Sequence, residues 1–314
     1  MAKDYLKFKV FCDLREDTEA FIVGDIHGCW QELRELLERL GCYVADDGTL
    51  WALKGSPASR KRLIFVGDLV DRGPDTAAVL RLFMKNWRRG ADFFPVLKAK
   101  ESESGAGADS PAELPLPERE DGQGRVWSAV PLYCVLGNHD YRLWRLLQGC
   151  KVKLTHGLDA TVESLERACR EQSAAWGERS LDFPFGMEDI AAFFRDLPLC
   201  LRCGDRLVVS HAGLSEELQH KEGDESFHFC LFGDTHGKLD ERGFPIRNHW
   251  EEDYEGRAAV FYGHTPVRRA LIVNNTVNID TGCVFGGFLT AVSYPELDFI
   301  SVKSRETYCE RDNW

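Results

Sequence analysis

The sequence lacks any apolar run that approaches the ~20 residues needed to cross a bilayer. Its first residues also lack the basic segment followed by an apolar stretch that marks a secretory signal. We therefore expect a cytoplasmic protein with no membrane partner. A hydrophobic content of 44%, with 11% aromatic residues, is enough for a sizeable core, so the composition argues against a disordered chain.

The sequence also lacks a regular cysteine pattern and an excess of basic residues. The 11 cysteines are irregularly spaced and odd in number, which predicts reduced thiols. Cys200 and Cys203 form a CxxC pair, but no second pair follows to complete a zinc site. Lysine and arginine total 39 against 51 aspartate and glutamate residues, a net charge of −12. This charge disfavours extended nucleic-acid binding but allows a single phosphorylated end to enter a locally positive pocket.

Strands and helices alternate in the first part of the chain. Short apolar runs at 21–25, 62–68 and 131–136 are each followed by apolar residues at helical spacing. This alternation predicts crossover connections and a sheet with a parallel part.

Hairpins dominate the second part. After an amphipathic helix at 187–197, paired short strands flank turns at 204–205, 274–275 and Pro295. The succession predicts an α/β fold in which two mixed sheets pack together with helices outside, in one domain spanning 1–314.

The segment at about 98–124 differs from the rest of the chain. It consists mainly of Gly, Ala, Ser, Glu, Asp and Pro and has almost nothing to bury. This composition predicts a disordered surface insertion.

Polar clusters flanked by glycine follow five apolar strands. In order they are GDIHG at 24–28, GDLVDRG at 67–73, GNHD at 137–140, SHAG at 210–213 and GHTP at 263–266. The carboxyl ends of strands line the ligand crevice of open α/β sheets, so we expect the clusters to converge. Carboxylate, imidazole and amide groups without cysteine suit Mn, Fe, Zn or Ni. The sequence therefore predicts a metal site.

The order of these motifs resembles the calcineurin-like metallophosphoesterases, in the branch that contains the Ser/Thr protein phosphatases, over roughly 21–300. The resemblance implies two mixed β-sheets sandwiched between helices and two divalent metal ions, with manganese preferred and nickel, iron or zinc as alternatives. One ion would be held by Asp25, His27 and Asp68. The other would be held by Asp68, Asn138, His211 and His264, with Asp68 bridging.

The same resemblance implies roles around the two ions, which would share a hydroxide that attacks phosphorus. Arg72 would hold the phosphate oxygens, and Asn138 would also contact substrate. His139 would bind the substrate and protonate the leaving group, with Asp71 orienting its imidazole. Asp280 would support the metal ligands from behind.

The remaining histidines receive weaker predictions. His156 and His236 are candidates for the substrate pocket. The histidines in polar stretches are expected at the surface, and they are His220, His228 and His249.

Three further segments indicate which members of the family the sequence resembles. THG at 155–157, LFGDT at 231–235 and DTGCVFGG at 280–287 resemble the phosphatase module of bacterial polynucleotide kinase-phosphatases. The GCxxGGxLT pattern also resembles the bacterial diadenosine tetraphosphatases. Protein phosphatases of the eukaryotic type carry GNHE and HGG instead, and no GxxxxGK[ST] loop of a kinase module is present.

The expected activity is hydrolysis of phosphomonoesters at nucleotide or nucleic-acid ends, including 2′,3′-cyclic phosphate. Two alternatives remain open, a bis(5′-nucleosyl)-tetraphosphatase and a Ser/Thr protein phosphatase. A catalytically dead binding module is disfavoured because every expected ligand is present. The expected partner is a phosphorylated small molecule or nucleic-acid end, and the sequence leaves the oligomeric state open.

Overall fold

A computed structural model describes residues 7–91, 116–175, 185–239, 241 and 245–310. The strands are β1 (Phe11–Asp13), β2 (Ala20–Val23), β3 (Cys42–Val44), β4 (Leu50–Leu53), β5 (Arg62–Phe65), β6 (Glu118–Glu120), β7 (Val126–Ala129), β8 (Leu132–Cys134), β9 (Cys200–Cys203), β10 (Leu207–Ser210), β11 (Thr235–Leu239), β12 (Pro245–Arg247), β13 (Ala259–Tyr262), β14 (Leu271–Val273), β15 (Thr276–Asn278), β16 (Phe288–Tyr294) and β17 (Phe299–Lys303). The helices are α1 (Trp30–Arg39), α2 (Pro57–Arg60), α3 (Thr76–Ala91), α4 (Asn138–Leu147), α5 (Leu158–Ala175), α6 (Met187–Asp196) and α7 (Asp224–Phe232).

The first large sheet has the strand order β17-β16-β2-β5-β8. β2, β5 and β8 are parallel, as the alternation of strands and helices predicts. Val23 pairs with Phe65, and Phe65 pairs with Cys134, so these three strands end at the same level. α1 packs against β16 and β17, and α3 packs against β8. The register brings the first three polar motifs to one edge of the sheet.

The second large sheet has the order β1-β9-β10-β13-β15-β14. β10 and β13 are parallel, and Val209 pairs with Phe261. β9 with β10, β14 with β15, and β16 with β17 of the first sheet are the three antiparallel hairpins expected from the sequence. The last two polar motifs thus also follow neighbouring parallel strands.

The two large sheets pack against each other. The ring of Phe261 on β13 lies 5.9 Å from that of Tyr294 on β16, in an edge-to-face contact. β2 and β10 are buried along their whole length, which requires cover on both faces. Buried apolar residues from Phe8 to Val302 form one core cluster. The prediction of two mixed sheets packed between helices is confirmed, while the single-domain organisation stays a prediction.

Several elements were not predicted. β3, β4, β7 and β6 form a four-stranded antiparallel sheet, and β11 pairs with β12. All 11 cysteines are free, as expected. Of the helices that the structure describes, none has the length and apolar character needed to cross a bilayer.

The predicted insertion at 98–124 needs a correction at its end. Residues 98–115 lie outside the described residues, but 118–120 form β6, which pairs with β7. The prediction is wrong for these residues because an exposed edge strand needs backbone pairing rather than apolar side chains. The guanidinium of Arg119 lies 4.5 Å from the ring centre of Trp51 and covers it.

Candidate metal centre and active site

The predicted ligands follow the ends of five strands. Asp25 and Asp68 lie just beyond β2 and β5, and Asn138 begins α4 after β8. His211 and His264 follow β10 and β13 of the other sheet. The meeting of the two sheets at their carboxyl ends therefore places these side chains in one buried region.

Asp68 lies between two histidines. Its Oδ2 is 3.5 Å from Nε2 of His27, and its Oδ1 is 3.5 Å from Nε2 of His211. Oδ1 also accepts a hydrogen bond of 2.9 Å from the backbone N–H of His139. Each carboxylate oxygen thus faces a different imidazole, which is the arrangement that a bridging ligand requires.

His27 and Asp25 lie on one side of Asp68. Nδ1 of His27 donates to the carbonyl of Val70 at 2.8 Å, so its Nε2 carries the lone pair. Oδ2 of Asp25 accepts from the backbone N–H of His264 at 3.1 Å. Oδ1 of Asp25 is buried and has no hydrogen-bond partner among the described residues. A buried carboxylate oxygen in this state fits a cation.

Asn138, His211 and His264 lie on the other side. Nδ1 of His211 donates to the carbonyl of Val66 at 2.9 Å, which leaves Nε2 as an acceptor. That nitrogen lies 2.9 Å from Oδ1 of Asn138 and 3.1 Å from Nδ1 of His264. Nε2 of His211 and Oδ1 of Asn138 are both acceptors, so they repel each other at this distance unless a donor group or a cation lies with them. The donor set of nitrogen and oxygen therefore fits a divalent transition metal.

Burial reinforces this conclusion. It raises the pKa of Asp25 and of Asp68 well above the usual range of a carboxyl group, and neighbouring carboxylates add to both shifts. It lowers the pKa of His211 to about 3, so that imidazole stays neutral. Neutral imidazoles have the lone pair that binds metal, and a bound cation would offset the repulsion that raises the pKa of the two carboxyl groups.

The backbone is strained where the motifs turn. Among the described residues, eight that are not glycine have positive φ, and six of them belong to this region. These six are His27, Asp68, Asp71, Arg72, His156 and His264. Such conformations cost free energy and concentrate at functional sites.

One glycine permits a close approach. A Cβ atom added at Gly263 would lie 2.0 Å from Oδ1 of Asp25, so only glycine fits beside that carboxylate.

His139 and Asp71 form a buried pair. Nδ1 of His139 lies 2.6 Å from Oδ2 of Asp71, which orients the imidazole and leaves Nε2 free to meet a ligand. Burial raises the pKa of Asp71 to about 6, partly offset by the Thr161 hydroxyl on α5. Burial, with the positive charge of Arg72, lowers the pKa of His139 well below its usual range.

Arg72 lies beside the same group. Its guanidinium is 2.8 Å from Nε2 of His27, and it stacks over the ring of Phe285 at 5.3 Å. Asp280 lies behind the site, where its Oδ1 accepts from the N–H of Gly282 at 3.0 Å and its charge contributes to the raised pKa of Asp25.

The weaker histidine predictions are resolved in part. The ring of His156 lies 6.5 Å from that of His139. His220 and His249 are exposed, and His228 is half-buried. His236 belongs to β11, and its side chain lies outside the described part of the structure.

Two residues of the candidate site were missed by the sequence analysis. Asp140 accepts hydrogen bonds from the N–H groups of Leu69 at 2.9 Å and Gly137 at 3.1 Å, and so ties the second motif to the third. Its place in the GNHD motif could have revealed it. Arg247 on β12 brings a guanidinium within 2.6 Å of Nε2 of His264. No motif marks Arg247, because β12 reaches the site only through its pairing with β11.

A third group of ligand-type side chains lies outside the motif pattern. Cys29, Glu32 and Cys283 are buried, with potential ligand atoms within 4.8 Å of one another. Oε1 of Glu32 accepts from the hydroxyl of Tyr308 at 2.8 Å and from the N–H of Arg305 at 2.9 Å. This group fixes α1 to the C-terminal segment.

Comparison with known proteins agrees with this geometry. A family model described as calcineurin-like phosphoesterase matches residues 20–300. A bis(5′-nucleosyl)-tetraphosphatase (asymmetrical) of Halalkalibacterium halodurans is 35% identical over 295 residues, covering 91% of this chain and 94% of the relative. Proteins of the same name from Oceanobacillus iheyensis and Bacillus subtilis are each 33% identical, covering 91% and 92% of this chain and 93% and 96% of their own lengths.

Solved structures show the same fold. A crystal structure provisionally described as a diadenosine tetraphosphatase has a TM-score of 0.53 at 20% identity and covers 95% of this chain and 99% of its own. A protein serine/threonine phosphatase from Saccharomyces cerevisiae has a TM-score of 0.51 at 13% identity, covering 97% and 85%. From the extent of the family match and the identity to the curated relatives, the chain belongs to the calcineurin-like phosphoesterase family and is a metal-dependent phosphoesterase.

Proposed function

We propose that the protein hydrolyses bis(5′-nucleosyl) tetraphosphates asymmetrically, to a nucleoside triphosphate and a nucleoside monophosphate. The observation that carries the proposal is the identity of 33–35% with relatives of that name along nearly the whole of both chains. At this coverage the similarity extends along nearly the whole chain and is not confined to the five polar motifs.

The mechanism we propose assigns the site residues as follows. Asp25, His27 and Asp68 would hold one divalent cation. Asp68, Asn138, His211 and His264 would hold the second. When bound, the two cations would polarise a water molecule and offset the charge of the phosphoryl oxygens. Manganese is the ion we propose, since the donor set of nitrogen and oxygen suits it.

The other residues would position the phosphate chain. Arg72 would bind phosphoryl oxygens with its planar guanidinium. Arg247 would supply a second guanidinium on the side of the site where His264 lies. His139 would face the leaving oxygen and give it a proton, with Asp71 holding the imidazole in place. Asp280 would support the ligands by fixing the turn after β15.

Nucleic-acid ends, the first expectation from the sequence, become the second candidate. None of the relatives described above has a name that refers to polynucleotides, and the net charge of −12 disfavours long contacts with nucleic acid. The protein-phosphatase alternative has the weaker support, because the likeness to the yeast enzyme at 13% identity concerns the fold alone.

The test is a comparison of kcat/KM in manganese for four substrates. These are diadenosine tetraphosphate, an oligonucleotide with a 3′-phosphate, a nucleoside 2′,3′-cyclic phosphate and a phosphothreonine peptide. We expect diadenosine tetraphosphate to be preferred by about tenfold or more. Preference for either nucleic-acid substrate would restore the first expectation, and preference for the peptide would establish a protein phosphatase.

A further inference from the structure

One wall of the active site is formed by residues 151–157, which connect α4 to α5 and are called here the 151–157 wall. Lys151, Lys153, Thr155 and His156 in this segment are exposed. The ring of His156 lies 6.5 Å from that of His139. The ring of His27 lies 4.9 Å from His139, on the side of the metal ligands. The wall is therefore the next surface that a substrate meets beyond His139.

Two contacts fix this wall against the site. The guanidinium of Arg142 donates to Oγ1 of Thr155 at 2.5 Å and to the carbonyl of Lys153. A Cβ atom added at Gly157, where φ is +85°, would lie 2.7 Å from the backbone nitrogen of Arg72. The wall is thus attached both to α4 and to the Arg72 turn, so its position relative to His139 is defined.

The wall carries positive charge in an acidic protein. Arg142 lies three residues after His139 on α4, so both side chains project from the same face of that helix. Among the described residues, no acidic side chain forms an ion pair with Lys151 or Lys153. Arg142 and His156 also interact with Arg72 and with the carboxyl group of Asp71. Arg142 and the two exposed lysines are therefore a local concentration of basic residues in a chain whose net charge is −12.

We propose that Arg142, Lys153 and His156 form a subsite for a phosphate-bearing leaving group, the triphosphate of the departing nucleotide. The inference rests on the proposed function, in which His139 faces the leaving oxygen. Water would attack the phosphorus atom bonded to one adenosine, and the bond from that phosphorus to the bridging oxygen would break. The electron pair stays on the bridging oxygen of ATP, the hydroxyl of water remains on AMP, and one proton is released.

Isotope labelling tests the direction of cleavage. Hydrolysis of diadenosine tetraphosphate in ¹⁸O-water should place the label in AMP, as read by mass spectrometry of both products. Label in ATP would mean that AMP is the leaving group, and the proposed subsite would be wrong.

Variants test the residues. Lys153→Gln and Arg142→Gln should each lower kcat/KM for diadenosine tetraphosphate by about tenfold, which is the low end for loss of a charge-assisted contact because the patch is exposed. Hydrolysis of p-nitrophenyl phosphate, whose leaving group has no phosphate, should stay within about twofold. His156→Asn should also lower kcat/KM for diadenosine tetraphosphate. Asparagine is chosen because it tolerates the positive φ of this position.

The controls separate charge from architecture. Arg142→Lys keeps the charge and should recover most of the activity. Arg170→Gln removes an exposed arginine that pairs with Glu166. This arginine lies about 18 Å along α5 from the first residue of that helix, so its loss should leave the hydrolysis of both substrates unchanged. If the variants of Arg142, Lys153 and His156 slow the hydrolysis of diadenosine tetraphosphate and of p-nitrophenyl phosphate equally, these residues have a structural role only and the subsite is refuted.

A second measurement distinguishes failure of the subsite from failure of the proposed function. Inhibition of p-nitrophenyl phosphate hydrolysis by ATP, with manganese in constant excess, does not require cleavage of a tetraphosphate. The inhibition constant should rise about tenfold in Lys153→Gln. An unchanged constant would overturn the subsite, whereas wild-type protein that leaves diadenosine tetraphosphate intact would overturn the proposed function.

Discussion

Replacing Asp68 with asparagine removes one negative charge from the point where the two candidate metal positions meet. The change keeps the size of the side chain. It also keeps an oxygen that can accept the hydrogen bond from the N–H of His139. The two carboxylate oxygens face His27 and His211 at 3.5 Å each, so both metal positions lose the same charge.

The expected magnitude follows from these distances. Two unit charges about 4 Å apart interact by about 4 kcal/mol at an effective dielectric constant of about 20. A dication doubles this value, and the dipole of the asparagine amide recovers part of it, so we use the single-charge figure. It corresponds to a loss of metal affinity of about 10³-fold.

The assay is a titration of p-nitrophenyl phosphate hydrolysis with manganese, together with metal content by mass spectrometry after dialysis. Asp68→Asn should need about 10³-fold more manganese for half-maximal activity. Asp205→Asn is the matched control, because Asp205 is an exposed carboxylate in the turn between β9 and β10 and lies apart from the ligands. It should titrate as the wild type does.

Stability provides an independent check that the variant is folded. Burial raises the pKa of Asp68, so the metal-free folded state disfavours its charge. Metal-free Asp68→Asn should therefore melt at or above the temperature of metal-free wild type. Wild-type metal affinity in this variant would refute the bridging assignment, and so would a loss confined to one of the two metals.

Three further predictions concern other parts of the site. His139→Ala should keep both metals and lose about 10²–10⁴-fold in rate on an alkyl phosphate. The loss should be smaller on p-nitrophenyl phosphate, and an equal loss on both would assign His139 another role. Arg247→Gln should lower kcat/KM about tenfold with unchanged metal content, whereas depletion of metal would make it a structural support of His264 instead. Burial raises the pKa of Asp71 to about 6 and that of Asp140 to about 7, above their unfolded values, so the stability linked to their protonation is lost as pH rises through these values. Buried histidines of lowered pKa add stability over the same interval, because their imidazoles are protonated in the unfolded state near about pH 6.5, so the comparison is with Asp140→Asn. The melting temperature in chelator of the wild type relative to Asp140→Asn should fall from about pH 6.5 to 8, and a constant difference over this interval would contradict the assignment.

The meeting of the candidate ligands in one region was predictable because each one follows a buried strand. Apolar runs predict the strands and glycine marks the turns, so the sequence alone assigns Asp25, Asp68 and His211 to strand ends. The hairpins of the second sheet were predictable for the same reason, since short apolar runs flank turn residues.

What could not be predicted depends on contacts between distant segments. Arg247 reaches His264 through the pairing of two short strands that have no apolar alternation. β6 is a charged edge strand, and its composition resembles a disordered segment. Arg142 lies on a helix that was predicted, but its role depends on the path of the 151–157 wall. Local patterns carry no information about such paths.

The distribution of charge gives a reason why a small polyanion fits this site better than a nucleic acid. Binding along a nucleic-acid backbone requires a row of cations, and each phosphate contact adds to the salt dependence. The cations near His139 and His264 include Arg72, Arg142, Lys153 and Arg247. A chain of four phosphates between two nucleosides can be neutralised by these residues and two metal ions, with no basic surface beyond them. An enzyme with a net charge of −12 would repel the rest of a long polyanion. The affinity for diadenosine tetraphosphate should therefore depend only weakly on salt concentration, because the site makes few phosphate contacts. A 3′-phosphorylated 20-mer should bind no more tightly than a nucleoside 3′-phosphate. Tighter binding of the longer oligonucleotide would show that the acidic surface does not exclude nucleic acid.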